Sequence, residues 1–90
     1  MAAAKSPSQG NILWVDDEMD SLKSQMLFLE NKGYQVQGVT NGYDALDRIK
    51  NERFDLVLLD ESMPGMTGLD TLARIKETHP YLPVVMVTKN

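Results

Sequence analysis

Ninety residues make one domain at most, and a chain of this size buries only about 60–65% of its unfolded surface, so the core is thin and no element can be spared. The 42% hydrophobic and 24% charged content is ordinary for a globular chain, and the net charge of −4 argues against nucleic acid as a partner of this segment. The absence of cysteine excludes a disulfide framework and thiol chemistry, and no stretch reads as a membrane span or signal peptide, which together predict a cytoplasmic protein without a membrane contact.

Residues 1–10, MAAAKSPSQG, read as a disordered leader, and residues 11–90 as the folded domain. Asn11 to Val15 is a short apolar run and a first strand. Asp20 and Ser21 then offer helix-capping oxygens, Leu22, Met26 and Leu29 with Phe28 trace an apolar stripe, and Gly33 supplies a C-terminal cap, which predicts a helix over about 20–32. Tyr34 to Val39 alternates with period two, as a strand near the sheet edge does. Asn41-Gly42 marks a turn, and Ala45, Leu46 and Ile49 make a second helix that ends before Arg53. Phe54 to Leu59 reads as a central strand. Ser62 to Gly68 is a loop dense in turn formers, followed by a third helix carrying Leu69, Leu72, Ala73 and Ile75 and stopped by Pro80. Val84 to Val87 is the last strand and delivers Thr88 beyond its end. The alternation β-α-β-α-β-α-β, with connections long enough for right-handed crossovers, predicts an α/β fold with a doubly wound parallel sheet.

Function is expected where acids end apolar strands. Asp16 and Asp17 follow Ile12-Leu13-Trp14-Val15, and Asp60 follows Leu56-Val57-Leu58-Leu59. If those strands are neighbours, three carboxylates converge at the carboxyl edge of the sheet, where open α/β folds bind ligands. Two unit charges about 5 Å apart repel by roughly 3 kcal/mol at an effective dielectric near 20. Three such pairs consume most of a domain's net stability of about 5–15 kcal/mol, so the pocket should hold a cation or a shared proton. Carboxylates joined by a backbone carbonyl suit a hard divalent ion that keeps several waters, which predicts Mg²⁺ with Mn²⁺ as substitute.

Three motifs in order now resemble a family. WVDDE at 14–18, LLDESMPGMTG at 58–68 and VVMVT at 84–88 resemble the acidic pair, the phosphoacceptor strand with its loop, and the switch-hydroxyl strand of the receiver domain of two-component response regulators. The resemblance covers about 12–90. It implies a flavodoxin-like sheet of strand order 2-1-3-4, and a phosphoprotein whose chemistry is limited to its own phosphorylation and dephosphorylation. Carried over residue by residue, Asp60 would accept the phosphoryl group from a sensor histidine kinase or a small donor such as acetyl phosphate. Asp17 would ligate Mg²⁺ directly, Asp16 chiefly through water, the backbone carbonyl of Ser62 would be a further ligand, and Thr88 would be the switch hydroxyl. LDESMPG combined with VTK resembles more narrowly a Bacteroidetes group whose receiver precedes a phosphatase-like output domain linked to type IX secretion.

The family's lysine, fifth strand and last helices are expected beyond Asn90, together with a C-terminal output domain. Lys89 stands where the family usually has a small residue and would crowd the pocket mouth; Trp14 replaces the usual aliphatic, and Thr67 stands where an acid is common. A sheet ending at Val84–Val87 exposes an apolar edge strand, so the chain is expected either to self-associate, by edge pairing or swapping of that fourth strand, or to be an ordered fragment of a longer chain.

Plainer readings stand beside these. Asp16 and Asp17 could be solvated turn acids near a helix start, and Thr88 a hydroxyl bonding locally. Met63, Pro64 and Met66 read as loop packing, and His79, a lone histidine, as a surface residue. Two other function classes remain: a Mg²⁺-dependent aspartyl-phosphate hydrolase of the haloacid dehalogenase type, which needs a second acid where Ser62 stands, and a docking module that keeps the fold without being phosphorylated.

Overall fold

The computed structural model describes residues 9–88. Most of the expected leader, residues 1–8, and Lys89, expected at the pocket mouth, lie outside the described residues. Four strands, β1 (Gly10–Val15), β2 (Tyr34–Val39), β3 (Leu56–Asp60) and β4 (Val84–Val87), alternate with three helices, α1 (Lys23–Asn31), α2 (Gly42–Asn51) and α3 (Gly68–Thr78). All strand pairs are parallel, in the order β2-β1-β3-β4 that the sequence predicts. The chain steps from β1 outward to β2 and then back across β1 to β3. With right-handed crossovers, that reversal places α1 on one face and α2 with α3 on the other.

The face under α2 and α3 holds the main core. Leu13, Val15, Val57 and Leu59 are fully buried there against Ala45, Ile49 and Ile75, with Met63 from the β3–α3 loop and Phe54 closing the two ends. The alternate residues of β1, Ile12 and Trp14, point to the α1 side and are also buried, so β1 carries an unbroken apolar run because both its faces are covered. The Trp14 indole N–H finds no acceptor among the described residues.

Local chemistry moves several boundaries. The first helical segment splits into a 3-10 turn over Met19–Leu22 and α1. Neither Asp20 nor Ser21 caps it: Ser21 Oγ donates to the Glu18 carbonyl at 2.8 Å, and Leu22, the residue that precedes α1, has no side-chain oxygen. Leu22, Met26 and Leu29 are half-buried as the stripe predicts. Phe28 is 60% exposed, more than a third of a turn off that stripe, with the Lys32 ammonium 5.3 Å from its ring centroid. Gly33 does end α1, at φ +101°, where a side chain would be strained.

Asn41 is a cap rather than a turn residue. Its Oδ1 accepts the Asp44 N–H at 2.8 Å and Gly42 is already helical. Thr67 does the same for α3, accepting from Asp70 N–H at 3.1 Å. The third strand starts at Leu56 rather than Phe54, because the Asp55 carboxylate instead of a ladder carbonyl receives the Asn11 N–H at 2.8 Å. The α3 helix stops at Thr78, two residues before Pro80, whose ring disfavours a helical conformation in the residue ahead of it.

Candidate functional site

β1 and β3 are hydrogen-bonded neighbours with Val15 opposite Leu59, so Asp16 follows one strand and Asp60 ends the other at the same edge and on adjacent lines. This is the reversal point of the sheet, where the connections leave β1 and β3 toward opposite faces. Ligand oxygens of Asp16, Asp17 and Asp60 all lie within 4.8 Å of one another. Asp16 and Asp60 are buried, at 0% and 1% exposure, while Asp17 is exposed. Burial of Asp16 displaces its reading as a solvated turn acid, whereas the exposed Asp17 still answers to that description.

Both buried carboxylates are held by the same local device. Asp16 Oδ1 accepts the Glu18 N–H at 2.8 Å, and Asp60 Oδ1 accepts the Ser62 N–H at 3.1 Å. Each aspartate thus bonds the backbone two residues ahead and turns the chain as it leaves the strand. The strand ends are tied in as well: Asp16 N–H donates to Val39 O at 3.0 Å, and Glu61 N–H to Val87 O at 3.2 Å. Alignment of the carboxylates is therefore built into four backbone contacts, and the acids do not depend on long flexible stems.

A cleft of about 300 Å³ opens over this edge, lined by Asp17, Glu18, Asp60, Glu61 and Ser62. Asp16, fully buried, belongs to the same carboxylate cluster without lining the cleft. Ser62 stands in the wall, exposed, with its N–H engaged by Asp60. Glu18 and Glu61 receive no role from motif reading, yet each borders the cleft because it directly follows a strand-ending acid. That adjacency was the available signal. The crowding of carboxylates fits a hard divalent cation: oxygens closer than 5 Å in a partly buried site repel unless positive charge lies between them, and small oxygen donors are what Mg²⁺ prefers.

Thr88 lies one residue beyond Val87, which is in register with Asp60, so it sits at the same edge on the far side of β3. Its side chain is exposed. Met63 and Met66 are buried, each at 6% exposure, and anchor the loop while Pro64 and Gly65 stay outside, which agrees with a packing role. His79 is half-buried, with its Nδ1 2.8 Å from Thr78 Oγ1, far along the chain from the acids and part of no carboxylate cluster among the described residues. A larger cleft, about 660 Å³, opens at the opposite end of the strands between the last turns of α2 and α3; it contains none of the three acids.

Comparison with known proteins agrees with the geometry. The family model described as the response regulator receiver domain matches residues 12–90. The transcriptional regulatory protein ZraR of Klebsiella oxytoca is 39% identical over 83 residues, covering 92% of this chain and 19% of that protein. The uncharacterized transcriptional regulatory protein YkoG of Bacillus subtilis is 39% identical over 80 residues, covering 89% of this chain and 35% of the relative. The chain thus spans between a fifth and about a third of the length of these curated relatives. Among solved structures, the N-terminal domain of a response regulator receiver protein from Methanoculleus marisnigri superposes with a TM-score of 0.84 at 37% identity, over 92% of this chain and 69% of that one. The response regulator TrrA of Thermotoga maritima, in complex with Mg²⁺ and BeF, superposes with a TM-score of 0.81 at 32% identity, over 87% of this chain and 68% of that one. With the sheet order, the strand-end acids and these matches in agreement, the chain belongs to the receiver domain family of two-component response regulators.

Proposed function

We propose that this chain is a phosphoacceptor whose Asp60 takes a phosphoryl group from a sensor histidine kinase or from a small donor such as acetyl phosphate. The observation that carries this reading is the convergence of the Asp16, Asp17 and Asp60 oxygens within 4.8 Å at the reversal point of the sheet. An Asp60 carboxylate oxygen attacks phosphorus in line with the bond to the donor; that bond breaks, its electron pair leaves with the donor, and an acyl phosphate forms on Asp60. Asp60 is suited to this because the hydrogen bond from Ser62 N–H fixes one oxygen and so orients the other.

Asp17, Asp60 and the Ser62 carbonyl would hold Mg²⁺, or Mn²⁺ in its place, with Asp16 acting mainly through water, as the family resemblance implies. Bound there, the ion supplies neutralisation of the phosphoryl oxygens. Thr88 is the hydroxyl that reports the new anion, and the signal passes to an output domain of the longer protein, consistent with relatives named as transcriptional regulators. The narrower resemblance to phosphatase-linked regulators receives no support from these relatives. The chemistry is confined to phosphorylation and dephosphorylation of the chain itself. No helix among the described residues is long and apolar enough to cross a membrane, and a cytoplasmic location suits a kinase-fed receiver. The outer edge of β4 is the surface through which the isolated chain associates with itself.

The test is intact-mass measurement after incubation with acetyl phosphate and Mg²⁺. The gain of one phosphoryl group is expected in the parent chain and absent from Asp60→Asn. Failure of the parent chain, and of a chain extended past Asn90, to gain mass overturns the reading.

A further inference from the structure

We infer that Gly68, the first residue of α3, is a positioning residue for the phosphoacceptor: it clamps the base of the loop that leaves Asp60. The inference rests on the reading of Asp60 given above. The loop runs from Glu61 to Thr67 and closes on itself, because the Gly68 N–H donates to the Glu61 carbonyl at 3.2 Å. A Cβ on Gly68 would fall against the Asp60 carbonyl oxygen inside any permitted contact, 2.8 Å from Glu61 Cα and 3.0 Å from Glu61 O. Every one of these neighbours is backbone, and a backbone atom at the end of a paired strand cannot swing aside as a side-chain tip can. Helix α3 therefore seats directly on the peptide that carries the nucleophile. Its axial placement sets where Ser62, two residues on from Asp60, stands relative to the carboxylate it hydrogen-bonds.

Gly42 provides a matched contrast. A Cβ there would collide equally hard, but with side-chain atoms: the Thr71 hydroxyl on α3 and, at 2.9 Å, the sulfur of Met66 in the β3–α3 loop. Gly68→Ala thus acts on the Asp60 peptide directly, whereas Gly42→Ala meets α3 and the loop through side chains that can shift. The capping pair offers a gentler version. Thr67→Ala loosens the start of α3 by loss of its cap bond, and Asn41→Ala loosens the start of α2 by loss of the equivalent bond together with the Nδ2 contacts to Asp44 Oδ2 at 3.0 Å and Thr40 Oγ1 at 3.5 Å.

Three readouts are taken on the 90-residue chain. In the metal-free ¹H–¹⁵N spectrum, Gly68→Ala is expected to move the amides of Asp60, Glu61 and Ser62, and Gly42→Ala to leave them in place. The Mg²⁺ dissociation constant, followed through Trp14 as the single tryptophan, is expected to rise about tenfold in Gly68→Ala and several-fold in Thr67→Ala, and to change less than about twofold in Gly42→Ala and Asn41→Ala. The rate of mass gain from acetyl phosphate is expected to fall in the same order. Equal effects within each pair overturn the inference, as do unmoved amides at residues 60–62. If Gly68→Ala does not fold, the Thr67→Ala and Asn41→Ala pair decides alone. Failure of the parent chain to take up a phosphoryl group or Mg²⁺ defeats the functional reading instead, and the metal-free amide comparison still decides the role of Gly68.

Discussion

Asp16 and Asp60 illustrate how one residue type serves two ends at once. Each carboxylate keeps one oxygen on an N–H two residues ahead, at 2.8 and 3.1 Å, and is thereby oriented before any ligand arrives. A cation that enters the cluster relieves repulsion only in the folded state, so it stabilises by mass action. At an Mg²⁺ concentration one hundred times the dissociation constant the gain is about 2.7 kcal/mol. Urea unfolding followed by Trp14 fluorescence is expected to show that gain in the parent chain and its loss on chelation. Asp17→Asn should remove most of it, because a carboxylate that would ligate the ion directly is lost; Asp16→Asn should remove less, since an amide oxygen still accepts the Glu18 N–H. Equal stability with and without Mg²⁺ would show that the acids do not form a metal site.

Among the elements, the two helices on the core face start at side-chain caps, whereas α1 has no side-chain cap at its start and only a half-buried stripe. Asn41→Ala and Thr67→Ala are each expected to cost about 1 kcal/mol, read as a lowered urea midpoint with unchanged slope. Core and surface separate more widely. Leu59 is fully buried in β3, and Leu59→Ala is expected to cost about 2–5 kcal/mol, whereas Phe28→Ala on the outer side of α1 should change stability by less than about 0.5 kcal/mol. The contrast tests the correction to α1. Phe28 belongs to the apolar composition of the helix but not to its buried stripe, and only packing against β1 and β2 distinguishes the two.

At the scale of the whole molecule, the four-stranded order leaves two edges among the described residues, β2 and β4. β4 pairs only with β3 among the described residues, and Val85, in register with Leu58 and Trp14 across the sheet, is 49% exposed. A parallel edge with an apolar residue on it invites strand pairing. Light scattering of the 90-residue chain is expected to show association that rises with concentration, and Val85→Lys to return it to the monomer by placing a charge on that edge. A parent chain that remains monomeric at high concentration with a cooperative melt would remove β4 as an association surface.

The amino-acid order alone determined the parallel α/β alternation and the three acids, because apolar runs of fixed length and strand-end carboxylates are local signals written in consecutive residues; the strand order followed from the receiver resemblance. It also marked the receiver resemblance through motifs whose spacing survives without coordinates. Tertiary structure decided the rest. Asn41 and Thr67 become caps rather than turn and loop residues only when the following N–H groups swing toward them, and Asp55 starts β3 late only because Asn11 lies across from it. Glu18 and Glu61 share one cleft because the crossover connections set the ends of β1 and β3 side by side, and Gly68 meets the Asp60 peptide because the loop after β3 closes on itself. Such contacts depend on the path of the chain in space, and periodicity along the chain carries no record of them.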